Sequence, residues 1–225
     1  MMKDFYLIET ILWRHGTNAR GQPLGFKLLD LHLERLRKSA SYFGFPYRER
    51  EIIQTLHELS RALKKGPEKV AQDQKVRCTL DSCGDFAITH VEAIPKIETP
   101  VKIDISKVTV NPKDPFLYHK TSRRELFDKE RMRLVEQGLF DTIFLNRQGE
   151  LTQGTITNLF VEDRRGMLLT PPVDCGLLPG TLRQALIRQG RAKELILTMD
   201  HLLNANSIYV GNSVRGLLPA RLITR

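Results

Sequence analysis

Residues 151–161, LTQGTITNLFV, and 170–187, TPPVDCGLLPGTLRQALI, decide how this chain is read. The first tract predicts a strand, a turn and a second strand. In the second, Pro179 and Gly180 stand just before Leu182, Ala185 and Leu186 at helical spacing, so a glycine turn feeds directly into a helix start. Backbone N–H groups and the positive end of the helix dipole converge at such a point, and glycine lets an anion approach the backbone closely. Alone, the turn has a plainer explanation as ordinary helix capping. Its companions along the chain give it chemical weight.

With 225 residues the chain is long enough for one large domain or two small ones around a real core. Its hydrophobic content of 41% and charged content of 27% are those of a soluble globular protein. No apolar run is long enough to cross a bilayer, and the opening MMKDFYLIETILWRHG lacks the plan of a secretory signal. A cytoplasmic location without a membrane partner is therefore expected. Cys78, Cys83 and Cys175 cannot all pair, and their spacing is not that of a zinc site, so reduced structural thiols and no metal are expected. The net charge of +9 would suit a nucleic-acid partner. The basic residues are interleaved with acids, however, as in HLERLRKSA, YRERE and HKTSRRELFDKERMR, and no aromatic ladder accompanies them. Solvated helix faces and no nucleic acid are the expectation; a basic surface also gathers an anionic small-molecule substrate.

Residues 5–14 read as a buried strand, followed by a glycine-containing turn region through 25. Residues 28–43 predict a helix with Leu29, Leu33, Leu36 and Ala40 on one face, and 50–64 predict a second. Residues 75–80 and 86–93 flank DSCGD as a hairpin. This makes residues 1–95 a small α+β domain, with the proline-bearing stretch at 96–104 as linker. Within and beyond it, 101–110 and 142–146 read as strands, 122–137 and 182–189 as helices, 207–210 as a strand and 217–223 as a short final element. Residues 105–225 form the larger α+β domain, and the fold class expected is α+β with two lobes.

Lys120 lies in FLYHKTSRREL, between an apolar approach and a helix. Most lysines are surface solubilisers, but an amine held partly desolvated near other cations becomes a nucleophile able to form a Schiff base. Six segments then line up in order: IET near the start, HLERL at 32–36, Lys120, TITNLF, GLLPGTLR and GNSVRG. Together they resemble, over nearly the whole chain, the fold-type IV pyridoxal-phosphate enzymes, the class IV family of branched-chain and D-amino-acid aminotransferases and 4-amino-4-deoxychorismate lyase. HKTSRR and NSVRG look most like the lyases.

The resemblance implies a D-amino-acid aminotransferase-like architecture and pyridoxal 5′-phosphate as cofactor, held by residues 105–225 as the cofactor-binding domain. It makes Lys120 the residue that binds the cofactor covalently and moves protons. Arg35 matches the arginine that grips the cofactor phosphate, its plainer reading being an exposed helix arginine paired with Glu34. Gly180 and Thr181 in the GTL turn, and Ser213 and Val214 in the NSV turn, match the other phosphate contacts, where Ser213 is otherwise an ordinary turn serine. Asn158 matches an asparagine near the cofactor ring, with an Asx turn as its plainer reading. Gln153 stands where the family has a glutamate whose carboxylate keeps the pyridine nitrogen protonated. A neutral amide hydrogen-bonds that nitrogen without balancing its charge, which weakens transamination more than an elimination driven by aromatisation. Glu150, three residues away along a strand, points to the opposite face.

The chain starts almost on IET, where many relatives carry further strands, so one wall of the pocket is expected from elsewhere, such as a partner subunit of a homodimer. Arg215, Tyr118 and Arg77 are candidates for substrate contacts, Arg215 for a carboxylate. The activity the resemblance implies first is an aminodeoxychorismate lyase forming 4-aminobenzoate and pyruvate for folate biosynthesis. The alternatives are a class IV aminotransferase acting on a branched-chain or D-amino acid, and a cofactor-binding protein with little turnover because of Gln153.

Overall fold

The computed structural model describes residues 4–20, 23–65 and 72–223. They fall into two compact units, Met1–Lys96 with Lys120–Ser122, and Ile97–His119 with Arg123–Arg225.

The first unit contains β1 (Leu7–Thr17), β2 (Pro23–Phe26), α1 (Leu29–Phe43), α2 (Glu49–Lys65), β3 (Gln74–Leu80) and β4 (Phe86–Ala93). Its sheet runs β2-β1-β3-β4 and is antiparallel throughout. The expected hairpin closes with Leu80 opposite Phe86. β1 buries Leu7, Ile8, Ile11, Leu12 and Trp13, and β3 alternates with Val76, Cys78 and Leu80 inward, which is how a half-covered strand separates its faces. α1 presents Leu33, Leu36 and Ala40 to the core as its spacing predicts, and Gly44 ends it in the left-handed region at φ 67. The expected turn region is narrower than 15–25: β1 continues to Thr17, a turn lies at 19–20, and β2 pairs back with β1, Trp13 opposite Phe26. Residues 14–17 are exposed and carry no apolar alternation, so nothing in the pattern marked them.

Lys120–Ser122 joins this unit through β1. Ile8 N–H donates to the Lys120 carbonyl at 2.8 Å, Ser122 N–H to the Tyr6 carbonyl at 2.9 Å, and Leu7 bridges Thr121. The helix expected from 122 accordingly starts only at Glu125.

The second unit contains β5 (Val101–Ile105), α3 (Glu125–Glu136), β6 (Asp141–Ile143), β7 (Asn158–Glu162), β8 (Leu168–Thr170), α4 (Thr181–Arg188), β9 (Ala192–Glu194), α5 (Met199–Leu203), β10 (Ser207–Asn212) and β11 (Gly216–Leu222). Its mixed sheet has the order β6-β5-β11-β10-β7-β8-β9. Leu159 and Val161 of β7 pack with Val101, Ile103 and Val210 on one face, while Phe160 packs with Leu182 and Leu186 of α4 on the other. A strand covered on both faces explains the unbroken apolar run LFV. The strand expected over 101–110 stops at Ile105, because the Ser106 hydroxyl takes the Val108 N–H at 3.0 Å and turns the chain; Val110 returns only as a single bridge to Asn146.

Among the described residues no helix is long and apolar enough to cross a membrane, and no group of three potential metal ligands is found. All three cysteines are free thiols, and burial pushes Cys78 and Cys175 up to about 12.

Candidate active site

In the first unit, Glu9 on β1 faces His32 and Arg35, which lie one turn apart on α1. Arg35 donates from Nε to Glu9 Oε1 at 2.9 Å and from Nη2 to Oε2 at 2.6 Å, and His32 Nδ1 lies 2.6 Å from Oε2. All three are buried. Burial alone would raise the Glu9 carboxyl, but the Arg35 guanidinium and His32 outweigh it and bring it down to about 2. Burial lowers His32, with the Arg35 and Lys120 charges adding to it against Glu9. An ionised carboxylate only accepts, so neutral His32 carries its proton on Nδ1. Arg35 is thus no exposed helix arginine, and Glu34 pairs with Lys38 instead. The bidentate grip fixes the plane of the guanidinium and leaves Nη1 as the edge for an anion. Lys120 is half-buried, its carbonyl pinned by β1 and its charge felt at His32. Arg77 is on β3, opposite Thr10 and His90.

In the second unit, Gln153 and Asn158 bridge across a tight turn closed by Gly154 N–H to the Thr157 carbonyl at 2.8 Å. Asp141, fully buried at the start of β6, holds this turn from beneath. It accepts from Thr155 N–H at 2.7 Å, the Thr155 hydroxyl at 2.6 Å, the Thr157 hydroxyl at 2.7 Å, Ile156 N–H at 3.3 Å and its neighbour Thr142 N–H at 2.9 Å. A Cβ on Gly154 would collide with that carboxylate. The two carboxamides then share one residue: Leu178 N–H donates to Gln153 Oε1 at 3.0 Å, and Asn158 Nδ2 donates to the Leu178 carbonyl at 3.0 Å. This brings the GLLPG loop onto the turn, so close that a Cβ at Gly180 would run into Asn158 Oδ1. Gly180 is the N-cap of α4 and supplies no side-chain cap, while Thr181 follows, buried.

Asn212 ties in the last segment. Its Nδ2 donates to the Ile156 carbonyl at 3.2 Å, and its Oδ1 accepts the N–H groups of Val214 at 3.0 Å and Arg215 at 2.9 Å, with buried Ser213 between. The Val214 N–H is therefore engaged inside the turn. Burial lowers the Arg215 guanidinium. Tyr118 donates its hydroxyl to the Pro112 carbonyl at 2.6 Å. Glu150 accepts from Asn146 Nδ2 at 2.6 Å and does not substitute for Gln153.

Gln153, Asn158, Gly180 and the Ser213 turn are thus linked within one unit, as Arg35 and Lys120 are within the other. Sequence reading missed Glu9, Asp141, Asn212 and Leu178. A lone acid inside the apolar strand LIETILW was the available signal for Glu9; Leu178 and Asn212 lie within the GLLPGTLR and GNSVRG segments already singled out, and Asp141 carries none.

The profile of the class IV amino-transferases matches residues 6–223, nearly the whole chain. The chain belongs to the class IV aminotransferase family. Over 98% of this family member and 100% of the other chain, the fold superposes with a TM-score of 0.85 and 35% identity on a "putative amino-acid aminotransferase" from Mesorhizobium loti. A "probable branched-chain-amino-acid aminotransferase" of Thermotoga maritima is 26% identical over 84% of this chain and 70% of its own. A "putative aminodeoxychorismate lyase" of Schizosaccharomyces pombe is 27% identical over 87% and 84%. The α+β, fold-type IV architecture is that of the class IV family.

Pyridoxal phosphate is the cofactor of class IV chemistry, and each unit by itself carries groups suited to it: the buried, oriented Arg35 guanidinium and the Lys120 amine in the first, and the backbone N–H groups at the α4 start in the second.

Proposed function

We propose that this class IV enzyme is a pyridoxal-phosphate-dependent aminotransferase acting on an amino acid, of branched-chain or D type. The similarity that covers 98% of this chain and 100% of the other, to a protein named as a "putative amino-acid aminotransferase", is what supports this reading. Arg35, Gly180, Thr181 and Ser213 would hold the phosphate, Asn158 and Gln153 would meet the ring, and Lys120 would anchor the cofactor. When bound, the cofactor withdraws electrons from the substrate carbon that bears the amine. In this reading the Lys120 amine would exchange with the substrate's own and carry the proton between carbon atoms.

A second reading, aminodeoxychorismate lyase, is favoured by Gln153, since an elimination driven by aromatisation needs a weaker electron sink. Amino-acid half-reactions separate the two. Bleaching of the cofactor band to the amine form with a branched-chain or D-amino acid supports the aminotransferase; release of 4-aminobenzoate from aminodeoxychorismate, with no such bleaching, sinks it. Borohydride reduction tests the common ground: an adduct mapped to Lys120, absent in Lys120→Ala, is expected, and an adduct elsewhere would remove Lys120 from its role.

A further inference from the structure

The carboxamide of Gln153 is not free to choose which end it presents. Its oxygen receives the Leu178 N–H at 3.0 Å, and the carbonyl of that same residue is occupied by Asn158 Nδ2 at 3.0 Å and by Gly180 N–H at 2.8 Å. Turning the amide over would set its NH2 against the Leu178 N–H, donor against donor. Gln153 is 6% exposed, so water does not rescue that orientation. Its nitrogen, with two hydrogens to give, is the end left for a ligand. The neighbouring acids are committed: Asp141 accepts five hydrogen bonds from its own turn and strand, and Glu150 accepts from Asn146.

We infer that Gln153 meets the cofactor's pyridine nitrogen as a hydrogen-bond donor, so that this enzyme works with a neutral, unprotonated pyridine. The inference rests on the reading that Gln153 faces the ring. A ring nitrogen that accepts an N–H bond is using its lone pair and carries no proton. A glutamate at 153 would behave oppositely, one oxygen taking the Leu178 N–H and the other holding a pyridinium N–H. A neutral ring draws electrons less strongly. With the amino-acid substrates proposed above, proton loss from the carbon bearing the amine is therefore slower than it would be with glutamate at 153.

The test is the 15N NMR shift of cofactor labelled at the ring nitrogen, bound to the wild-type holoenzyme and to Gln153→Glu. A neutral-pyridine shift in the wild type and a pyridinium shift in the variant are expected. A pyridinium shift in the wild type, with the Lys120 adduct intact, overturns this inference and leaves the proposed function standing. Neutral shifts in both proteins overturn it too, because residue 153 would not decide the protonation. Loss of the Lys120 adduct in the wild type brings down the inference together with the reading beneath it. Gln153→Met guards against a variant that fails to fold: it keeps the volume without a donor, and about a tenfold weaker cofactor affinity is expected for the loss of one hydrogen bond. Unchanged affinity there counts against the donor.

Discussion

Glu9 is the residue on which the first unit's chemistry turns, because it fixes Arg35 through two bonds and His32 through a third. Glu9→Gln would leave the buried Arg35 charge without its counter-ion, and about 3–5 kcal/mol of stability should be lost in denaturant titration. The pH dependence has a definite sign. The folded carboxyl lies at about 2 against an ordinary 4.5, so its contribution is complete above about 4.5 and is lost as pH falls toward 2. Wild type should lose stability across that window, and Glu9→Gln should show a shallower slope; parallel slopes would mean that Glu9 is not the group titrating. Arg35 was legible because HLERL carries it in a recognisable setting, but its partner was not. A helix face tells which residues turn inward, not which strand will lie opposite, and Glu9 is 26 residues from Arg35.

At the scale of elements, the turn between Gln153 and Asn158 owes its shape to β6. Asp141→Ala would strip acceptors from three backbone N–H groups, two of them buried, and from two threonine hydroxyls at once. A loss of about 3–5 kcal/mol is expected. Asp141→Asn should cost less, since its oxygen can serve the side that takes Thr142 and Thr155 while the Thr157 hydroxyl rotates to accept from the new NH2. Equal losses in chemical denaturation would show that charge, not acceptor geometry, holds the turn. The strand-turn-strand reading of 151–161 found this element, as the 3.6-residue spacing found α1 and the glycine turn found the β3–β4 hairpin. What escaped was short: β8 and β9 have three residues each and α5 has five, too few to show a period, and their neighbours in the sheet determine their conformation. The buried carboxylate beneath Thr155 and Thr157 explains why both turn residues carry hydroxyls.

At the scale of the molecule, the α+β plan followed from strands and helices that alternate on either side of a proline-bearing stretch, whereas the return of Lys120–Ser122 to β1 left no trace in the pattern. Three residues pairing with a strand more than a hundred positions earlier have no local signature, yet this pairing puts the candidate anchor lysine in the same unit as Arg35. The single tryptophan offers a direct test of that placement. Trp13 is buried on β1, the strand that carries Glu9, and its indole N–H donates to the Ser60 hydroxyl at 3.0 Å, so its fluorescence reports unfolding of the first unit. Ligand that binds only the folded form stabilises by mass action, by about 2.7 kcal/mol at a hundredfold excess over Kd. For a chain of this size that is a rise of roughly 5–10 °C in the transition. Removing the cofactor should therefore lower the Trp13 transition by this amount, and Lys120→Ala should shrink the difference while Arg35 still grips the phosphate. A Trp13 transition indifferent to cofactor would mean that the first unit contributes no ligand to it, and Arg35 and Lys120 would both lose the roles proposed for them.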